Sequence, residues 1–303
     1  MRVLVSGSTG LIGGALVERL RAGGHTVHPL VRRPPHPGEA AIDLSAGTLD
    51  TSQLPGGSLE GLDAVVNLAG EPLAPTRLSD PPRWSRTKKQ RILSSRVVTT
   101  RVLSQALAAL TSPPAVLVSA SAIGYYGDRG DELLVEGARP GRGFLAEVCV
   151  GWEQATAAAE EAGIRVVHLR SGLVLGDGGV LKLLVPFFRA GLGARIGSGE
   201  QWWSWISLAD EVGVILHAIA DTELSGPVNS VSPQPVHSRE LTSGIAAVVS
   251  RPVLLSLPAG PLRLAFGPDA SANLLDSQRA VPRRLERSVR IIPGRGDAMI
   301  RAA

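Results

Sequence analysis

Apolar positions along the chain fall into two alternating periods. Residues 3–5, 27–31, 64–66, 116–118 and 166–169 are short, nearly continuous apolar runs, the pattern of strands buried on both faces. Between them Ala15, Leu16, Val17 and Leu20, then Ile92, Val98, Val102, Leu103, Leu107 and Leu110, then Phe144, Val148, Trp152 and Ala155 recur at helical spacing. This alternation predicts an α/β fold, a doubly wound parallel sheet. Beyond Gly176 the rhythm loosens into helix, loop and helix, one strand at "GPVNSVSP", and mixed helices with Pro-rich connections. The expected division is a larger domain over 1–175 and a smaller C-terminal substrate lobe over 176–303, with a strand near 227–231 that can rejoin the main sheet.

The junction between the first strand and the first helix carries the clearest chemistry. Gly7, Gly10 and Gly13 stand at GxxGxxG spacing, with Ser8, Thr9, Leu11 and Ile12 between them. Gly7 permits a tight turn, Gly10 lets a pyrophosphate approach the backbone, and Gly13 lets the helix pack close, so the unpaired first-turn amides face an anion. A dinucleotide site of the NAD type places an acidic residue after the second strand; this chain has Arg32 and Arg33 there. Planar guanidinium forks suit a 2′-phosphate, so the expected cofactor is NADP(H). Later strand ends add Asp43, Leu68, Ala69, Gly70 and Ser119 to the expected cofactor wall, Asp43 reading equally well as an adenine contact or as a turn cap.

Composition narrows the class. The chain has 303 residues, 44% hydrophobic, enough for a sizeable core. Its formal charge of +4 comes from scattered basic residues rather than a stripe, which argues against nucleic acid. Cys149 is the only cysteine, which excludes an intramolecular disulfide and a cysteine zinc site. No apolar run has transmembrane length, so a cytoplasmic protein with no membrane partner is expected. His25, His28, His36, His168, His217 and His237 are dispersed, and no metal site is expected. The serines of "SASAIG" lack the GxSxG frame of a nucleophile elbow.

Several segments together, "GSTGLIG", "VVNLAG", "SASAIGYYG", "HLRSGLVLG" and "GPVNSVSP", resemble the extended and atypical short-chain dehydrogenase/reductase superfamily. Within it, "RWSRTKKQRILSSR", "GFLAEVCVGWE", "QWWSWISLADE" and "LLDSQRAVPRRL" are similar to the nucleotide-sugar epimerase-like family labelled cell-division-inhibitor homologues. The resemblance implies a Rossmann domain binding NADP(H), a C-terminal lobe shaping a small-molecule pocket, and a homodimer formed through two helices of the Rossmann domain. The superfamily's chemistry uses a Ser or Thr with a Tyr and a Lys four residues on. Here the tyrosines are Tyr125 and Tyr126, followed four residues later by Arg129 and Gly130, so no YxxxK pair exists. The usual window holds Phe144 or Leu145, then Val148 or Cys149.

Ser121 matches the superfamily serine, which leaves Tyr125 or Tyr126 as the candidate acid. Lys89, Arg96 and Glu136 are candidates to face the same cleft, with Trp203 and Ser204 as substrate contacts and Gln278 and Arg279 nearby. Trp202, Trp203 and Trp205 either line an apolar pocket or pin the second lobe, since both uses bury the rings. The closing stretch "SVRIIPGRGDAMIRAA" departs from the helix with which relatives end. The expected activity is an NADP(H)-dependent oxidoreductase or epimerase-like enzyme on a small polar substrate; the alternative is a non-catalytic NADP(H) sensor.

Overall fold

A computed structural model describes residues 1–74 and 81–288, and the closing tail over 289–303 lies outside the described residues. In chain order the first part comprises β1 (Arg2–Ser6), α1 (Leu11–Ala22), β2 (Thr26–Val31), β3 (Ala40–Asp43), β4 (Thr48–Asp50), β5 (Ala64–Asn67) and α2 (Arg86–Ala108). Then follow β6 (Val116–Ala122), β7 (Leu133–Leu134), α3 (Phe144–Gln154), α4 (Ala157–Glu161), β8 (Arg165–Ser171), β9 (Leu173–Leu175), α5 (Gly179–Arg189) and β10 (Ala194–Ile196). The remainder is β11 (Trp202–Trp203), β12 (Trp205–Ser207), α6 (Leu208–Ala220), β13 (Gly226–Ser230), β14 (Val236–His237), α7 (Ser238–Val248), β15 (Leu255–Leu257), α8 (Ala259–Leu275), β16 (Arg279–Ala280) and α9 (Leu285–Ser288).

Eight strands form the central sheet in the order β13-β8-β6-β5-β1-β2-β3-β4, parallel except for the antiparallel edge strand β4. Side chains alternate across it, which explains the continuous apolar runs. Val3, Val5, Val66, Val118, Val167 and Leu169 pack under α1 and α6, while Leu4, Val65, Leu117 and Val166 pack against α2 and α4. The strand after residue 225 joins this sheet as β13, Val228 opposite Leu169, and α6 shares the α1 core through Val212 and Ile215. A smaller cluster around Leu175, Leu181, Phe188, Trp205, Leu241 and Ile245 gathers the rest of the C-terminal segment. Short strand pairs, β9 with β12 and β7 with β16, lace that segment to the sheet.

Parallel pairing brings the carboxyl ends of the central strands level. Ser6 stands opposite Asn67, Asn67 opposite Ser119, and Ser121 opposite Arg170. In such sheets ligands bind beyond this edge.

Candidate active site

The glycine turn is closed too tightly for side chains. Gly7 has φ +66°, and a Cβ there would lie 2.9 Å from the Leu68 carbonyl carbon. A Cβ on Gly13 would lie 2.1 Å from the Gly7 oxygen, and one on Gly10 3.3 Å from it. Helix α1 starts at Leu11 with no side-chain cap, so the first-turn amides of Leu11, Ile12 and Gly13 point outward from a positive helix end. Ser6 fixes the opposing loop: its hydroxyl accepts from the Leu68 and Ala69 amides at 3.0 and 3.1 Å and donates to Asn67 Oδ1 at 2.6 Å. Asn67 and the Trp152 indole both donate to Thr100 Oγ1, at 2.7 and 3.0 Å, tying α2 and α3 beneath the same edge.

The paired arginines divide. Arg33 grips Glu39 with both ends of its fork, at 2.7 and 2.8 Å. Arg32 is exposed and makes no hydrogen bond among the described residues, its charge acting on Glu71. Burial works to raise the Glu71 carboxyl, but Lys88, Arg91 and Arg32 outweigh it and hold the group below its usual range. Of the two readings of Asp43, the turn cap is the one found. Its carboxylate accepts from the Ser45 hydroxyl and from the Ser45 and Ala46 amides, bonds that lower its pKa and keep it in its own turn.

Beside the cradle lies a cavity of about 360 Å³, walled by Ile12 and Leu68, the β6 end from Ala120 to Gly124, α3, the stretch from Ser171 to Val174, and the C-terminal segment through Trp202, Trp203, Asp276 and Gln278. Helix α3 presents Leu145, Val148, Cys149 and Trp152. Leu145 and Cys149 are therefore the pair, four residues apart, that stands where the resemblance would place Tyr and Lys; Phe144 turns away to pack edge-on against Trp84. Burial pushes the Cys149 thiol up to about 12, so it is a packed apolar group at neutral pH. Arg96 also lines the cavity. Its guanidinium donates to the Glu71 and Ile92 carbonyls at 3.1 and 3.2 Å, lies 5.1 Å from the Trp152 ring centre, and is shifted down by burial.

Ser121 reaches the cavity wall, and its hydroxyl donates to Glu153 at 2.7 Å. Glu153 in turn receives both ends of Arg170 at 2.8 Å, a buried bidentate pair. Arg170 raises the question of the tyrosines and answers it. Its guanidinium lies 3.5 Å from the Tyr125 ring centre and donates to the Tyr126 hydroxyl at 3.1 Å, while that hydroxyl donates to Asn229 at 2.6 Å. Tyr126 is fully buried, burial raises its pKa further, and neither tyrosine lines the cavity. The two expected acids thus lie off the cavity wall, Tyr126 with its hydroxyl engaged by Arg170 and Asn229 and Tyr125 with its ring against the Arg170 guanidinium.

Other expected contacts move as well. Glu136 is buried behind the sheet, where one carboxylate oxygen accepts from the Asn229 and Arg284 amides at 3.3 and 3.1 Å. Lys89 pairs with Asp269 on α8 and lies over Phe144, and it is Lys88 that reaches Glu71, at 2.9 Å. Ser204 borders the cavity, but its hydroxyl ties down the tail, donating to the Gln278 and Ala280 carbonyls and accepting from the Ala280 amide. Ser119 is fully buried without a hydrogen-bond partner for its hydroxyl, and it is absent from the cavity wall. Trp202 and Trp203 line the cavity, whereas Trp205 is buried in the C-terminal cluster with its indole donating to the Gln234 carbonyl at 3.1 Å. Gln278 lines the cavity, whereas Arg279 stacks 4.5 Å over Trp202.

Sequence reasoning missed Glu153, Arg170, Trp152 and Asp276. Arg170 did leave a signal, since a cation inside the apolar strand "VVHLR" needs a buried partner. Asp276 caps the end of α8 on the far wall, where burial and then the charge of Asp128 push its carboxyl up to about 6 against the pull of Arg263.

A dinucleotide-type cradle beside a largely apolar cavity, at the carboxyl edge of a doubly wound sheet, defines an α/β protein of the reductase and epimerase kind. The NAD dependent epimerase/dehydratase family model matches residues 3–230, and the chain belongs to that family. An epimerase family protein of Mycobacterium bovis is 46% identical over 288 residues, covering 94% of this chain and 91% of its own. The crystal structure of human epimerase family protein SDR39U1 with NADPH superposes with a TM-score of 0.87 at 32% identity, covering 99% of this chain and 98% of the human one. A UDP-galactose 4-epimerase structure, 20% identical with a TM-score of 0.71 and covering 100% of this chain and 98% of its own, shares the fold.

Proposed function

We propose that the protein binds NADP(H) and uses it for oxidoreduction of a small carbonyl or hydroxyl compound. The observation that carries this reading is the closed glycine turn, in which Cβ atoms on Gly7 and Gly13 would collide with the backbone of Leu68 and of Gly7, so that glycine alone lets the turn close and set the first-turn amides where a diphosphate would lie. The amides of Leu11, Ile12 and Gly13 would hold the diphosphate, the Ala69 and Gly70 backbone the adjoining sugar, and Arg32 the 2′-phosphate. NADPH in the human relative's structure supports the same assignment. When bound, the nicotinamide supplies hydride chemistry.

The protein's own part is orientation and exclusion of water. Leu145, Val148, Leu173, Val174, Trp202 and Trp203 make most of the wall apolar, favouring a compact substrate whose single polar end meets Ser121. Glu153 and Arg170 hold the Ser121 hydroxyl in one direction. The occupation of the expected Tyr and Lys positions by Leu145 and Cys149 favours a second reading, a sensor that binds NADPH without consuming it. Incubation of the purified protein with NADPH and pooled small metabolites, followed by absorbance over hours, separates the two. Metabolite-dependent oxidation is expected; tight binding with no oxidation in any pool would favour the sensor.

A further inference from the structure

Among the described residues the cavity wall carries one carboxyl group, that of Asp276. Of the described residues that line it, the side chains able to exchange a proton are Ser121, Ser171, Ser204, Cys149 and Asp276, of which the Ser171 hydroxyl donates to Glu211 at 2.6 Å and the Ser204 hydroxyl is bonded to the tail backbone. The Ser121 hydroxyl is engaged with Glu153 at 2.7 Å, and the Cys149 thiol keeps its proton far above neutrality. Arg96 stays charged and is a donor only. Asp276 is different: its carboxylate accepts no hydrogen bond among the described residues, yet the backbone around it is fixed. The Ser277 amide donates to Asp128 at 3.1 Å, the Ser277 hydroxyl donates to the Gly130 carbonyl at 2.7 Å and accepts from the Trp202 amide at 3.0 Å, and Gln201 donates to the Leu274 carbonyl at 3.2 Å.

Building on the oxidoreductase reading, we propose that Asp276 is the acid that hands a proton to the substrate oxygen during reduction and recovers it in the reverse direction. The step balances without a further reagent. A hydride, carrying two electrons from a reduced nicotinamide dinucleotide, bonds to the carbonyl carbon. The carbon–oxygen π pair moves to oxygen, where an O–H bond forms with the Asp276 proton. Asp276 is left as a carboxylate and is reprotonated from water, while the carbonyl is reduced to an alcohol and the dinucleotide is oxidised. The charged groups that act on Asp276 are Asp128, from the loop after β6, and Arg263 on α8, and they pull in opposite directions. Asp276 itself ends α8, so this acid comes from the C-terminal tail segment and not from α3.

The test uses the full chain with Asp276→Asn, which preserves size, and Asp276→Glu as the conservative rescue. Carbon NMR of protein labelled at the aspartate carboxyl carbon should show one resonance with a midpoint of about 6 that D276N removes. With a panel of aromatic aldehydes and ketones as probes, wild-type NADPH oxidation should fall above that midpoint. D276N should lower the rate by about 100-fold, the scale of general acid catalysis, with NADPH affinity unchanged and partial recovery in D276E. A titration midpoint at the ordinary carboxylate value, or undiminished oxidation by D276N, would overturn the assignment while leaving the oxidoreductase reading intact. Bound NADPH that no probe oxidises would overturn both, and failure to bind NADPH would remove the reading on which both stand.

Discussion

Replacing Gly13 by Ala introduces a single methyl group at the tightest point of the cradle. The new carbon would lie 2.1 Å from the Gly7 oxygen, 2.8 Å from its carbonyl carbon and 3.0 Å from the Ser8 Cα, all of them backbone atoms. Backbone cannot rotate aside, so α1 must move from the turn by roughly 1.3 Å to restore ordinary contact. A shift of that size misaligns the first-turn amides with a bound diphosphate. Each hydrogen bond to a charged group is worth about 1.5–3 kcal/mol, so losing one or two lowers NADPH affinity by roughly 100-fold. Gly10→Ala, with its closest approach at 3.3 Å, should cost about tenfold. Gly14→Ala meets nothing nearer than 3.9 Å and should leave affinity unchanged while stabilising the helix by about 0.5–1 kcal/mol. Nicotinamide fluorescence titration reads affinity, and a thermal melt confirms that each variant is folded. Wild-type affinity in folded G13A, or an equal loss in G14A, would refute the cradle argument.

Three further outcomes are expected. Arg170→Met leaves the Glu153 carboxylate buried without its bidentate partner, so urea unfolding should show a loss of about 3–5 kcal/mol; a loss below about 1 kcal/mol would contradict the account of that pair. Cys149, held near 12, should not react with Ellman's reagent at pH 8 in the native protein and should release one equivalent in denaturant, and fast native labelling would show the thiol to be open. Asp276 binds its proton more tightly folded than unfolded, so its contribution to stability is full below about 4 and is lost as pH rises to about 6. Allowing for its partial exposure, D276N should be more stable than wild type by roughly 1 kcal/mol at pH 7.5 and no more stable at pH 4; the opposite ordering would show that the carboxyl is not desolvated.

What was legible in the sequence was local. Gly7, Gly10 and Gly13 act through backbone conformation over one turn, and the buried strands announce themselves by composition, so cradle and sheet are readable without tertiary information. Ser121 was also accessible, because a strand end at a known edge fixes where its side chain stands. The misreadings all involve partners far apart in the chain. Tyr126 looked like an acid until Arg170 and Asn229, 44 and 103 residues away, claimed its hydroxyl. Glu136 was read as a pocket group because nothing local shows that the Asn229 and Arg284 amides converge on it. Asp276 was passed over because its environment exists only once the tail folds back across β11 and the loop around Asp128. The helical spacing of α2 could not say which of Lys88 and Lys89 faces Glu71, since neighbouring residues diverge by about 100° around a helix.

The central claim is that this cradle takes NADP(H) through the first-turn amides and Arg32. Titration of wild type and Arg32→Glu with NADPH and NADH, followed by nicotinamide fluorescence, tests it most directly. Saturation at one NADPH per chain is expected, at least about tenfold tighter than NADH, with the preference collapsing in R32E because a carboxylate repels the 2′-phosphate. Binding of neither nucleotide, or a preference that R32E leaves untouched, would contradict it.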